Sequence, residues 1–301
     1  MKVFLIILFG LVGVTLVAEV SLRLFVGLGK PALYIADDDI GYLLAPNQKL
    51  RRGGNRIEIN QYSMRHGEIE PQKDSDTKRI LLLGDSVVYG TWRTDQTQTL
   101  SALLAGQSDR PIEVLNASAN SWSPRNELAY LKKYGLFDAD VLILVINTDD
   151  FFAPKPTSLV VGTAYNYPDQ APPLALIEAY QIFIATPKPI PELEKLRAAK
   201  DNLKANIAAI KEIKDIAQQS DTEFILAITP LLQELQGQST PESIQARKRL
   251  QELVRAENIE YVDFLKVWAD FPQPEFLYRD RIHPSPQGNT KIVEQLRSVG
   301  K

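Results

Sequence analysis

The chain is 301 residues long and carries 34 basic and 37 acidic side chains, which gives a formal net charge of −3. Its 45% of hydrophobic residues is enough for a buried core, in one large domain or two small ones. The near balance of charge argues against a nucleic-acid-binding protein, which would show a basic excess. Zero cysteines exclude disulfides and thiolate chemistry, and two histidines exclude a three-histidine metal centre within one chain.

Residues 3–18, VFLIILFGLVGVTLVA, contain no charge. As a helix they span roughly 24 Å, slightly less than the ~30 Å hydrocarbon core of a bilayer. Glu19 and Arg23 follow four residues apart and can pair near the headgroups. We expect residues 1–29 to form an uncleaved signal anchor whose partner is the membrane. A cleaved signal peptide is the alternative, although it would leave Leu16 where a small residue is expected.

Residues 30–78 are polar and show few long periodic stretches. The alternating run NRIEIN at 55–60 predicts a short strand or hairpin. We interpret this segment as a stalk with a small β element packed on the main domain, which extends over 79–301.

From residue 79 onwards, short apolar runs alternate with helical patterns. Such alternation predicts a three-layer α/β/α sandwich around a central parallel sheet of about five strands. Pro124 at a first helical position and Gly135 after the last one delimit the helix expected over 124–134. The expected strands are 80–83, 112–115, 141–146, 224–228 and 259–264, and the expected helices include 124–134, 191–218, 241–256 and 286–298.

One segment, 152–190, interrupts this alternation. Eight prolines occur between residues 151 and 191, and only 174–184 has a helical pattern. The segment follows the carboxyl end of a strand, where ligand crevices form in open α/β sheets. Its aromatic content favours a packed lid or substrate wall over disorder. The aromatic residues concerned are Phe151, Phe152, Tyr165 and Tyr167.

Two motifs predict nucleophilic chemistry. Ser86 ends a Gly-Asp-Ser sequence directly after the first buried strand, beside backbone N–H groups that can stabilise an oxyanion. Asp280 precedes His283 by three residues, so its carboxylate can orient one imidazole nitrogen while the other accepts the serine proton. Either motif alone could be a turn or a helix cap. His66, the other histidine, lies in the polar segment, where an exposed or packing role is the simpler interpretation.

These motifs resemble those of the SGNH/GDSL hydrolase superfamily over roughly residues 79–298. RILLLGDSVVYG at 79–90 is similar to the first block of the family, and DRIHPSPQGN at 280–289 to the last. The resemblance implies a flavodoxin-like fold, with Ser86 as nucleophile and Asp280 and His283 completing a triad. GYLLAPN and INQYSMR further upstream resemble bacterial membrane-anchored members, which implies a domain outside the cytoplasm, in the envelope or periplasm.

The middle blocks depart from the family pattern. Ser121 stands where a glycine N–H normally joins the N–H of Ser86 in the oxyanion hole, and Asp149 stands where an asparagine amide is expected. An ionised carboxylate cannot donate a hydrogen bond. Three alternatives remain open: Asp149 is held protonated, Asn147 provides the donor, or activity is reduced or absent.

The resemblance therefore implies a serine esterase acting on a small acyl ester or an acylated glycan, such as O-acetyl groups of cell-envelope or exported polysaccharide. A polysaccharide O-acyltransferase with the same triad is an alternative, and so is a degenerate domain that binds a glycan or a partner. We expect no cofactor, no metal and no nucleic acid, since phosphate-loop, dinucleotide and calcium-loop spacings do not occur in the sequence.

Overall fold

The computed structural model describes residues 1–106 and 111–299. The strands are β1 (Tyr34–Asp37), β2 (Gly41–Leu44), β3 (Gln48–Arg52), β4 (Asn55–Ile59), β5 (Lys78–Gly84), β6 (Ile112–Ser118), β7 (Val141–Asn147), β8 (Glu223–Thr229) and β9 (Glu260–Asp263). The helices are α1 (Lys2–Ser21), α2 (Ser86–Tyr89), α3 (Leu100–Ala105), α4 (Pro124–Tyr134), α5 (Ala175–Phe183), α6 (Pro191–Arg197), α7 (Asn202–Gln219), α8 (Leu232–Leu235), α9 (Pro241–Ala256), α10 (Phe264–Val267) and α11 (Pro286–Val299).

A five-stranded parallel sheet in the order β6-β5-β7-β8-β9 forms the centre of the molecule. Successive side chains of a strand point to opposite faces, and β5 shows the result: Leu81 and Leu83 belong to one buried cluster, whereas Ile80 and Leu82 belong to another. Helices α4, α7 and α9 contribute to the first cluster, and α3 and α11 to the second. The predicted three-layer α/β/α sandwich with its parallel sheet is confirmed.

The helix expected over 191–218 is two helices, α6 and α7, with a break between them. The side-chain amide of Asn202 donates to the carbonyl oxygens of Leu196 at 3.0 Å and of Arg197 at 3.2 Å. These carbonyls belong to the last turn of α6. Because a side chain donates hydrogen bonds to them in place of later backbone N–H groups, the helix ends there. The spacing of apolar residues is the same on both sides of the break. The sequence pattern therefore predicts one continuous helix.

Residues 30–78 form two antiparallel hairpins, β1–β2 and β3–β4. Their apolar side chains, including Tyr34, Leu44, Ile57 and Ile59, belong to the same buried cluster as one face of the central sheet. The segment predicted as a stalk with a small β element therefore packs against the sheet domain.

Helix α1 continues through a π-helical turn at Leu22–Val26, and none of its residues is buried. Among the described residues this one helix, 25 residues in all, is long and apolar enough to cross a membrane, although a signal sequence has the same properties. It ends at Gly27, whose φ of 77° lies in the left-handed region that glycine favours. The N–H of Gly53, between β3 and β4, donates to the oxygen of Val26 at 2.7 Å, so this end of the helix contacts the domain.

Candidate active site

Ser86 lies at the carboxyl end of the central sheet, where β5 passes into α2. A Cβ at Gly84 would lie 2.5 Å from the oxygen of Val145 on the neighbouring strand, so only glycine fits there. Asp85 caps α2, because its Oδ1 accepts a hydrogen bond from the N–H of Val87 at 2.8 Å. These two neighbours hold Ser86 at the first position of the helix.

The loop that carries His283 is held against the same edge of the sheet. Tyr278 and Pro284 form an isolated antiparallel bridge that closes the loop. The N–H of Leu232, just after β8, donates to the oxygen of Arg281 at 2.9 Å. Parallel strands bring their carboxyl ends together, and this loop consequently meets Ser86 across 197 residues of sequence.

The three predicted triad residues are in contact. Ser86 Oγ lies 3.0 Å from His283 Nε2, and His283 Nδ1 lies 2.9 Å from Asp280 Oδ2. Partial burial raises the pKa of Asp280, but hydrogen bonds from the N–H groups of His283 and Ile282 outweigh it, and the pKa is lowered overall. Asp280 is thus ionised at neutral pH and able to orient the imidazole.

Ser121 has a backbone conformation that favours glycine. Its φ is +54°, in the left-handed region. Within residues 1–106 and 111–299 its N–H has no hydrogen-bond acceptor, so it is free to bind a ligand oxygen. Its Oγ accepts a hydrogen bond from Tyr167 Oη at 2.9 Å. Tyr167 belongs to the 152–190 segment, which therefore helps to hold this strained loop.

The remaining oxyanion candidates, Asn147 and Asp149, have other partners. The amide of Asn147 donates to Asp85 Oδ2 at 2.8 Å and to Asp150 Oδ2 at 3.1 Å. The carboxylate of Asp149 pairs with Arg281 at 2.5 Å and is 44% exposed. Both amide hydrogens of Asn147 are used by carboxylates, and Asp149 is an acceptor, so neither side chain presents a free N–H here.

Three carboxyl groups lie buried behind the nucleophile: Asp85, Asp150 and Glu127. Burial raises the pKa of Asp85 to about 6 and those of Asp150 and Glu127 well above their usual range. Both carboxyl oxygens of Glu127 lack a hydrogen-bond partner in the described chain. No sequence motif singles out Glu127, whose one signal is its place on the buried face of α4.

A cavity of about 330 Å³ opens at Ser86 and His283. Trp92 lies on its wall with the guanidinium of Arg93 5.3 Å from its ring centroid, whereas Trp122 is fully buried in the core. The 152–190 segment contributes Tyr165, Asn166 and Pro168 to the wall, and the region next to α1 contributes Pro31 and Ala32.

A larger cavity of about 870 Å³ reaches the other side of Ser86, next to Asn147 and Asp149. His66 lines neither cavity; its Nδ1 contacts the oxygen of Gly67 at 3.1 Å. No cluster of three His, Asp or Glu side chains suited to a metal ion occurs in the part of the chain that the structure describes.

The parallel sheet with a serine, a histidine and an aspartate in contact at its carboxyl end defines an α/β/α protein of SGNH type. The chain belongs to the GDSL-like lipase/acylhydrolase family, whose model matches residues 82–291. Membership supports an ester-hydrolysing enzyme.

Three solved structures illustrate what this chain is similar to. One is a lipolytic G-D-S-L protein from Veillonella parvula, which is 10% identical over 74% of this chain and 98% of its own, with a TM-score of 0.49. Another is a lipase/acylhydrolase from Enterococcus faecalis, which is 16% identical over 73% of this chain and 96% of its own, with a TM-score of 0.45. The third is an acetylxylan esterase from Geobacillus stearothermophilus, which is 16% identical over 74% of this chain and 94% of its own, with a TM-score of 0.47. No curated protein sequence matches the chain.

Proposed function

We propose that the protein is a serine esterase in which Ser86 is the nucleophile, His283 the general base and Asp280 the group that orients His283. The observation that carries this proposal is the unbroken contact from Ser86 Oγ through the imidazole to the Asp280 carboxylate, at 3.0 Å and 2.9 Å. Hydrogen-bond contact between nucleophile, base and orienting acid is the geometry that such catalysis requires.

In the first half-reaction, His283 Nε2 takes the proton of Ser86 Oγ as the oxygen bonds to the ester carbonyl carbon. The tetrahedral intermediate collapses, the bond to the alcohol oxygen breaks, and the imidazolium returns its proton to the leaving alcohol. Water then attacks the acyl-serine in the same manner, releasing the carboxylic acid and restoring Ser86.

The developing negative charge falls on the carbonyl oxygen, and the N–H groups of Ser86 and Ser121 are the donors we assign to it. The positive φ of Ser121 supports this assignment, because it reproduces the turn that glycine would make. Two backbone donors suffice for an oxyanion hole, but a missing third donor costs on the order of 100-fold in turnover. We therefore expect a slow esterase.

For the substrate we propose small acyl esters, with O-acetyl groups of cell-envelope polysaccharide as the preferred class. A cavity of about 330 Å³ is of the size that holds one small ligand. The ring of Tyr165 on its wall, 45% exposed, offers a flat apolar surface against which a sugar ring can pack. We further propose that α1 anchors the protein in a membrane with the domain outside the cytoplasm.

A fluorophosphonate probe, which reacts with an activated serine, tests the proposal on the full chain in detergent. We expect labelling of the wild type and none of Ser86→Ala, with the two proteins unfolding at the same temperature. Labelling of Ser86→Ala would overturn the assignment of the nucleophile. Folded wild type that stays unlabelled would instead favour a degenerate domain that binds a glycan or a partner.

A further inference from the structure

Helix α5 has its apolar side chains on the outside. Ile177, Tyr180, Phe183 and Ile184 are 39%, 56%, 71% and 72% exposed, while the one charged residue of the helix, Glu178, is buried. A helix on the surface of a water-soluble domain has the opposite arrangement, with its apolar stripe toward the core. The outer face of α5 is consequently suited to an apolar environment.

The beginning of α5 is bound to the end of α1. Both carboxylate oxygens of Glu19 accept hydrogen bonds from the first N–H groups of α5, those of Ala175 at 2.8 Å and Leu176 at 3.0 Å. Arg23 pairs with Glu19 at 2.6 Å and donates to the oxygen of Pro173 at 2.9 Å. A carboxylate at a helix N-terminus satisfies free donors and complements the helix dipole. Glu19 and Arg23 therefore have a specific partner, which is α5.

The inner face of α5 is fixed as well. Glu178 accepts a hydrogen bond from the N–H of Gly29 at 2.5 Å and pairs with Arg52 at 2.6 Å. The two side chains of that ion pair are 8% and 4% exposed. Breaking a buried ion pair leaves an uncompensated charge in the interior, so α5 keeps its orientation relative to α1.

The lengths of these elements put α5 at the level of the lipid headgroups. Glu19 lies about 26 Å along the helix from Lys2, close to the ~30 Å thickness of the hydrocarbon core. Leu24 and Phe25, one turn further, are 73% and 80% exposed and extend the same apolar surface. Tyrosine, such as Tyr180, is favoured at this depth because its ring is apolar and its hydroxyl is polar.

We infer that the outer face of α5 lies in the headgroup region of the membrane as a second, interfacial contact beside the proposed anchor. The inference rests on the proposed membrane role of α1. An exposed apolar face continuous with a membrane-length helix, and free of charge, matches a lipid surface. Glu178 and Ile182 of α5 also line the cleft at Ser86, so this placement of α5 puts the cleft beside the membrane surface.

The chain has no cysteine, so single-cysteine variants of the full chain can carry an environment-sensitive fluorophore in lipid nanodiscs. Ile177→Cys and Phe183→Cys test α5, and Val12→Cys tests α1. Ile244→Cys, on α9, is the matched control, because Ile244 is an apolar residue with 58% exposure. The quenchers are phosphatidylcholines with a nitroxide high on the acyl chain, for positions 177, 183 and 244, and near the end of the acyl chain, for position 12. We expect about twofold quenching at 177 and 183, as for residues inserted at the acyl boundary, similar quenching at 12 by the deep nitroxide, and none at position 244.

Quenching at position 12 together with water-like, unquenched emission at 177 and 183 would overturn the inference and leave the anchor intact. An absence of quenching at all positions would overturn the anchor too. Blue-shifted but unquenched emission at 183 would mean that protein, such as a second copy of the chain, covers α5, and this also overturns the inference. None of these readouts needs catalytic activity, so they are independent of the proposed esterase.

Discussion

Asp149 is a carboxylate at the position where the family motif has an amide donor. Its pairing with Arg281 at 2.5 Å gives this side chain a partner on the loop that carries His283, without giving it a catalytic role. Asn147, the other candidate, donates to Asp85 and Asp150 instead. The oxyanion hole proposed here consequently depends on the backbone of Ser86 and Ser121.

We predict that Asp149→Asn increases the rate of fluorophosphonate labelling and of ester hydrolysis about tenfold or more, because it adds a donor where charge develops. Asp149→Ala is the control, since it removes the same negative charge without adding a donor. Initial rates of both variants and the wild type provide the measurement. Equal rates for the two variants would contradict a donor role for this position.

Glu127 is the buried carboxyl group for which the structure provides no hydrogen-bond partner in the described chain. Burial raises its pKa well above 4.5, so the folded protein holds a proton that the unfolded chain releases as the pH rises. The free energy of unfolding therefore falls as the pH increases from about 4.5 through the folded pKa, by about 1.4 kcal/mol per unit of pKa difference. Asp85 and Asp150 act in the same direction.

We predict that Glu127→Gln reduces this pH dependence, because the amide has nearly the same shape and no charge. Melting temperatures of wild type and variant should converge near pH 4.5, and the variant should be the more stable at pH 8. Thermal unfolding followed by circular dichroism in one detergent measures both. Parallel curves over this range would show that Glu127 does not titrate between the two states.

At the scale of elements, the strands and most helices follow from local patterns, whereas the 152–190 segment does not. Its prolines and aromatics predicted a packed lid, and Tyr165 and Tyr167 lie at the cleft. The helical pattern at 174–184 appeared in the sequence, but a hydrophobic periodicity does not say whether the apolar face points inward or outward. That orientation is set by Glu178, which is drawn inward by Arg52.

We predict that Glu178→Ala lowers the stability of the protein by about 3–5 kcal/mol, because it leaves the Arg52 guanidinium buried without its counter-ion. Glu194→Ala is the control, since Glu194 pairs with Arg197 on the surface, where both side chains are more than half exposed and the pair contributes little. Chemical denaturation of the three proteins gives the comparison. Similar losses for the two variants would contradict a structural role for the buried pair.

The whole molecule combines a membrane-length helix, two hairpins and a three-layer domain, and its cleft draws residues from the hairpins and from the domain. Tyr34 of β1, Trp92 and His283 line the same cavity although they are far apart in sequence. If α1 is an uncleaved anchor, this arrangement keeps the cleft at a constant distance from the bilayer.

We predict that the expressed protein stays in the membrane pellet after alkaline carbonate extraction and that its mass includes residues 1–29. An uncharged apolar helix of this length partitions into the bilayer irrespective of pH. Leu8→Arg with Val12→Arg is the control, since two charges in the middle of the segment oppose insertion. A soluble protein with a shortened N-terminus would instead identify a cleaved signal peptide.

The fold class and the motifs that carry Ser86, Asp280 and His283 could be predicted from the sequence alone. Hydrophobic periodicity and short motifs are local properties, so they can be read without knowing what packs against them. The tertiary structure is needed to see that Asn147 faces carboxylates, that Glu127 is buried without a partner among the described residues, and that α5 is bound to Glu19. These features depend on contacts between segments 60 to 160 residues apart, where burial and charge pairing, rather than local pattern, select the conformation.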